Sequence, residues 1–180
     1  MRAISAADVV SLHHDERSLV TNAVDRRRFE FATGRALLRS LLGVSDPIMV
    51  GPTRAPALPP GVVGSLAHDR LVAVAAICHD VEVTALGIDV EPTEPLSMDV
   101  ARLIVRDDEA AIDAHLAFTL KEAAYKAWSN SGGRMLGHHD VRLEIDADRF
   151  WATVLPDRRR IEGTFTTACG RHLALVVLRA

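Results

Sequence analysis

Residues 24–42, VDRRRFEFATGRALLRSLL, place Phe31, Leu38, Leu41 and Leu42 at mixed three- and four-residue steps. That spacing lines one face of a helix, and Gly43 follows as a residue able to end it. Between Gly51 and Gly61 the chain then carries Pro52, Pro56, Pro59 and Pro60. Proline fixes φ and removes a backbone donor, so 51–64 is expected to be a rigid connecting loop. The apolar runs 71–78, LVAVAAIC, and 84–91, TALGIDVE, predict neighbouring buried strands, with a short helix as the alternative for the alanine-rich first run. Pro92 and Pro95 precede a mostly helical stretch from about Met98 to Ser129, interrupted near His115 and stopped by Ser131, Gly132 and Gly133. From Val141 the runs VRLEI, FWATVL, IEGTFTT and HLALVVL are separated by DAD, PDRRR and CGR, the texture of an antiparallel meander.

The fold class read from this order is α+β. Each half reads as a long helix followed by strands, and GSLAHDRLVAVAA loosely echoes GTFTTACGRHLALVV. Duplication produces such an echo, and so do ordinary α+β hairpins.

With 180 residues, 48% of them hydrophobic and 25% charged, the chain can bury a core as one domain or as two small fused halves. A formal net charge of −3 argues against a general polyanion or nucleic-acid binder and leaves room for local basic clusters. Cys78 and Cys169 stand far apart, outside any C-x-x-C pairing, so neither a zinc ribbon nor a dithiol site is supported, and a reducing cytoplasm is expected. MRAISAADVVSLHHDE meets histidine and acid before an apolar core of signal length, and later apolar runs break before 18 residues. No secretion signal or membrane span is therefore expected.

Candidate chemistry concentrates in three places. In Gly87-Ile88-Asp89-Val90-Glu91, alternation along a strand sends Ile88 and Val90 one way and Asp89 and Glu91 the other. Two converging carboxylates suit Mg²⁺, and a strand end with a solvated acidic face is the plain alternative. In Phe118–Trp128, Glu122 and Lys126 stand at i and i+4 with Lys121 and Tyr125 on the adjoining edge. That spacing serves either a surface ion pair or a metal carboxylate one turn from a phosphate-binding lysine. In GSLAHD, His68 faces opposite to Ala67 and Asp69 if the segment is extended, which would let the imidazole reach an anion. His13, His14, His138 and His139 have no partner spacing and read as structural or exposed. Arg26, Arg27, Arg28, Arg35 and Arg54 are candidate phosphate contacts, with a solvated face as the default, and Arg158, Arg159 and Arg160 read as a surface turn. The chain has no G-x-x-x-x-G-K-[ST] loop, no G-x-G-x-x-G and no G-x-S-x-G.

In order, FATGRALLRSLL, RAP, GSLAH, GIDVEP and FTLKEAAYKAW resemble the 4′-phosphopantetheinyl transferases, in particular the longer monomeric type of the surfactin-synthetase activators and enterobactin synthase component D proteins. The resemblance runs from about Arg26 to Asp140. It implies a pseudo-dimer of two similar helix-plus-antiparallel-sheet halves, here 1–85 and 86–180, with the active site at their interface in a monomer. The implied reaction transfers 4′-phosphopantetheine from coenzyme A to a serine of an acyl or peptidyl carrier protein and releases adenosine 3′,5′-bisphosphate. By resemblance Asp89, Glu91 and Glu122 hold Mg²⁺, and Glu122 also takes the serine proton. Lys126 meets the phosphates as a second catalytic residue, while Arg35, Arg54, His68 and Lys121 contribute to coenzyme binding, with Arg26 to Arg28 as looser candidates.

Two departures stand out. Ala67 replaces the Ser or Thr usual before the histidine, and only about thirty residues separate Glu91 from Glu122, which implies a trimmed segment beside the carrier protein. A basic docking rim for an acidic carrier is expected near Arg102, Arg106 or Arg134. The alternatives are a degenerate module that binds coenzyme A or a carrier without transfer, and another Mg²⁺-dependent nucleotide phosphotransferase or hydrolase.

Overall fold

A computed structural model describes residues 1–180 and gives an α+β architecture with two antiparallel sheets. The first has the order β1 (Arg2–Ala3), β3 (Val72–Cys78), β2 (Val63–His68). The second has the order β4 (Val83–Pro92), β8 (Arg171–Arg179), β7 (Arg159–Ala168), β6 (Arg149–Val154), β5 (Val141–Asp146). The meander expected from the alternating C-terminal runs is present, each strand from β5 to β8 pairing with the next. LVAVAAIC is strand β3 rather than a helix.

A short helix α1 (His14–Ser18) precedes α2 (Asp25–Leu42), which packs on the three-stranded sheet and ends at Gly43 with φ 66°. That left-handed conformation suits glycine, as the pattern predicts. The break in the second helical stretch lies earlier and is longer than expected. Helix α3 (Met98–Ile104) is followed by a 3₁₀ turn at Asp107–Glu109, and α4 (Ala114–Asn130) starts only after Asp113. The Asp113 carboxylate accepts the amides of His115 and Leu116, so the N-cap sets the start and His115 belongs to the first helical turn.

β3 and β4 are consecutive but do not pair, contrary to the neighbouring strands expected. Both edges of β3 are taken by β1 and β2, while β4 runs along β8 from Val83 opposite Arg179 to Pro92 opposite Arg171. The division expected after residue 85 falls within β4, whose Val83 and Ala85 already lie in the β8 ladder. The sheets meet instead where β2 crosses β4. The Ser65 hydroxyl there accepts the Ile88 amide at 3.0 Å, and Ala67, Val74, Ile88 and Val90 form a small apolar cluster.

The largest apolar cluster, seventeen buried residues, lies between α4 and the five-stranded sheet. Ala117, Ala123, Ala124 and Ala127 give α4 a face of small side chains, so the helix approaches the sheet closely. No helix is long and apolar enough to cross a membrane.

Candidate active site

Gly87 sets the distance between the two elements that carry the acidic residues. A Cβ there would overlap the Ala123 carbonyl oxygen and come within 2.6 Å of the Ala127 nitrogen. Lacking one, β4 lies directly under α4, and Asp89 and Glu91 of the strand line the same cavity as Glu122 and Lys126 of the helix. That cavity has a volume of about 720 Å³ and is walled on its other side by α2 and the proline loop.

Asp89 is only 4% exposed. Lys126 Nζ donates to its Oδ1 at 2.6 Å and to the Ile88 carbonyl at 3.2 Å, while Asp89 Oδ2 is buried without a hydrogen-bond partner. Burial pushes the Asp89 carboxyl up, with Lys126 opposing. Burial, then the charge of Asp89, pushes Glu91 up to about 7. Both shifts mean that negative charge is crowded into a poorly hydrated spot. The three carboxylates line one cavity without already forming a closed three-ligand set. The donor set nevertheless fits a hard cation: it is all oxygen, one buried oxygen has no partner, and an added positive charge would relieve the crowding.

Two histidines stand behind the acids. His115 Nδ1 lies 2.6 Å from the Glu94 carbonyl oxygen and its Nε2 lies 3.6 Å from Glu91 Oε2. His138 Nε2 lies 3.2 Å from Glu122 Oε1.

The opposite wall is cationic. Arg27, Phe31 and Arg35 follow one another at four-residue steps on α2 and all line the cavity. Arg35 is 3% exposed, stacks on Phe31 at 4.3 Å and has no partner for its Nε. Burial lowers its pKa to about 10, which still leaves it charged at neutral pH. Arg54 reaches the cavity from the proline loop with a φ of 67°. His68, at the end rather than the start of its strand, receives a hydrogen bond on Nε2 from Arg27 at 3.0 Å. Burial lowers the His68 pKa, and a ring that accepts on Nε2 is neutral. Ala67 also lines the cavity and is buried, so the position before His68 offers a methyl group and no hydroxyl.

Lys121 is not brought to this cavity. Its ammonium is sealed inside, donating to Glu109 at 2.6 Å and to the carbonyls of Ile104 and His138 at 2.8 and 3.0 Å. It faces away from Lys126 around the helix and does not line this cavity, contrary to the coenzyme contact expected of it. Of the arginine triplet only Arg27 lines the cavity; Arg26 pairs with Glu30, and Arg28 with Asp25. Among the rim candidates, Arg106 is held by Asp108 and the His139 carbonyl, and Arg134 by Asp157.

Sequence reasoning missed Glu30, a buried carboxylate of the cavity wall within ion-pair distance of Arg26, Arg27 and His68. Its i+4 and i+3 spacing from the two arginines was the available signal. His138 had none, because it reaches Glu122 through a loop sixteen residues along the chain.

Comparison with known proteins adds a family. Residues 15–78 match the model described as 4′-phosphopantetheinyl transferase N-terminal domain. The 4′-phosphopantetheinyl transferase Svp of Streptomyces mobaraensis is 34% identical over 158 residues, covering 78% of this chain and 64% of that protein. The 4′-phosphopantetheinyl transferase Npt of Nocardia iowensis is 30% identical over 76% of this chain and 67% of its own length. The 4′-phosphopantetheinyl transferase PptT of Mycobacterium tuberculosis is 34% identical over 178 residues, 87% of this chain and 78% of that one. The chain thus spans about two thirds of Svp and Npt and more of PptT.

Proposed function

This chain belongs to the 4′-phosphopantetheinyl transferase family, and on that premise we propose that it moves the 4′-phosphopantetheine arm of coenzyme A onto a serine of an acyl or peptidyl carrier protein. The serine oxygen forms a bond to the β-phosphorus, the pyrophosphate bridge breaks, and adenosine 3′,5′-bisphosphate leaves with the bridging oxygen. The observation that carries the reading is one cavity with two opposed walls: Asp89, Glu91, Glu122 and Lys126 on one, Arg27, Arg35, Arg54 and His68 on the other.

In this reading the cationic wall receives the coenzyme's phosphates. Arg35 brings a buried guanidinium with a free donor, the group best suited to a charge-assisted bond with phosphate. His68, neutral and oriented by Arg27, lines the same wall.

Asp89, Glu91 and Glu122 would hold Mg²⁺. When bound, that ion supplies charge stabilisation at the pyrophosphate oxygens. Lys126, ion-paired to Asp89 at 2.6 Å, opposes the upward push that burial gives that carboxyl and sets an ammonium on the acidic wall. Glu122, partly exposed at the cavity, is the base that takes the serine proton, directly or through water. The two helix-plus-sheet units act here as two halves around one site, in a cytoplasmic monomer.

Incubation with coenzyme A, Mg²⁺ and an apo carrier protein, followed by weighing of the carrier, tests the reading. A gain of one phosphopantetheine is expected. Binding of coenzyme A with no gain would indicate a binding module, and cleavage of coenzyme A with no gain a hydrolase.

A further inference from the structure

Two consecutive residues of α4 grip a single residue outside it. Lys121 donates from Nζ to the His138 carbonyl at 3.0 Å, and Glu122 faces His138 Nε2 at 3.2 Å. The grip on the backbone is firm, because Lys121 is 1% exposed and its charge is matched by Glu109 at 2.6 Å. Glu109 in turn accepts the Leu143 amide at the start of β5. The 3₁₀ turn at His138–Asp140 is further fixed by Asp140, which accepts the Gly137 amide at 2.8 Å. The imidazole packs on Phe118 with ring centroids 5.4 Å apart, so its plane is set as well. Its Nε2 is left with one protein neighbour, Glu122 Oε1.

We propose that His138 is a positioning residue for Glu122, its ring N–H holding one carboxylate oxygen so that the other is aimed into the cavity, with Lys121 anchoring His138 for that purpose. Glu122 has no other protein hydrogen bond to fix its rotamer, and a freely turning carboxylate at the end of a long side chain would present its oxygens to the cavity only part of the time. The inference rests on the role given to Glu122 above and extends it to a residue sixteen positions away. It also accounts for Lys121 standing beside Glu122 with its ammonium buried away from the phosphates.

The test compares His138→Leu, which removes the donor, with His138→Gln, whose amide N–H can replace it. Because the ring is partly exposed and at the edge of the core, both variants are expected to keep the wild-type thermal midpoint and circular dichroism. Carrier loading gives kcat and the KM for coenzyme A. Titration of Mn²⁺ in the presence of coenzyme A, followed by electron paramagnetic resonance, reads the carboxylate site without turnover. His138→Leu is expected to lower kcat and Mn²⁺ affinity by about 10- to 100-fold with KM for coenzyme A little changed, and His138→Gln to restore most of both. Wild-type kcat and Mn²⁺ affinity in His138→Leu, or equal losses in the two variants, would overturn the proposal. A wild-type protein that binds Mn²⁺ in a His138-dependent way yet loads no carrier would overturn the transferase reading and leave this one standing.

Discussion

Lys126 Nζ lies 2.6 Å from Asp89 Oδ1, and the second oxygen of that buried carboxylate has no hydrogen-bond partner. One oxygen of Asp89 is therefore matched by the protein and the other is buried and unmatched. Removing the ammonium in Lys126→Ala leaves the carboxylate buried without its counter-charge, so it binds a proton more readily. Carrier loading should fall by about 10²–10³ in kcat, the usual loss of one preorganised charge at a reacting phosphate, and Lys126→Arg should recover part of it. Steady-state kinetics on both variants checks this.

Glu91 carries the clearest pH signature. Its carboxyl is pushed up from 4.5 to about 7, so the folded protein resists ionising it. That contribution to stability is complete below about pH 4.5 and is lost as pH rises through 7. In chelator, the urea midpoint of Glu91→Gln should therefore gain on wild type steadily between pH 5 and 8. With Mg²⁺ added, wild type should be stabilised more at pH 8 than at pH 6, because the ligand must be ionised to bind.

Arg35 is a buried cation with an unsatisfied donor, which costs the ligand-free protein stability. Arg35→Met keeps the stem packed on Phe31 and removes the charge. Its thermal midpoint without ligand should equal or exceed wild type, while coenzyme A should bind about 10- to 100-fold more weakly in calorimetric titration, the value of one charge-assisted hydrogen bond.

Gly87→Ala places a methyl group against the Ala123 carbonyl, which must push α4 off β4. A loss of about 1–3 kcal/mol in urea unfolding is expected from overpacking. Activity should fall further than stability alone requires, because the displaced helix carries Glu122 and Lys126 away from Asp89.

Local pattern carried much of this site. Alternation in GIDVE put Asp89 and Glu91 on one face, and helical spacing put Glu122 and Lys126 one turn apart; both relations hold in the fold. Rows of residues within one element are legible because the backbone period dictates them. The direction of Lys121 was not, since it depends on Glu109 arriving from the 3₁₀ turn before α4. The separation of β3 from β4 was not either, because strand pairing is decided by β1 and β8, which lie at opposite ends of the chain. His138 had no local partner and finds Glu122 only when the loop after Gly133 folds back. At Asp113 the pattern predicts helix running on to a break near His115, whereas the side chain caps α4 there and the break falls before it.

In the proposed reaction Glu122 works in transfer and is not a surface helix charge. Glu122→Gln keeps the size of the side chain and removes its charge and basicity, and loading of an apo carrier can be followed by mass in a single turnover beside wild type. Wild type is expected to add one phosphopantetheine to the carrier, and the variant to do so about 10²–10⁴-fold more slowly, with an unchanged fold and retained coenzyme A binding. Wild-type loading by Glu122→Gln, or no loading by the wild-type chain, would contradict it.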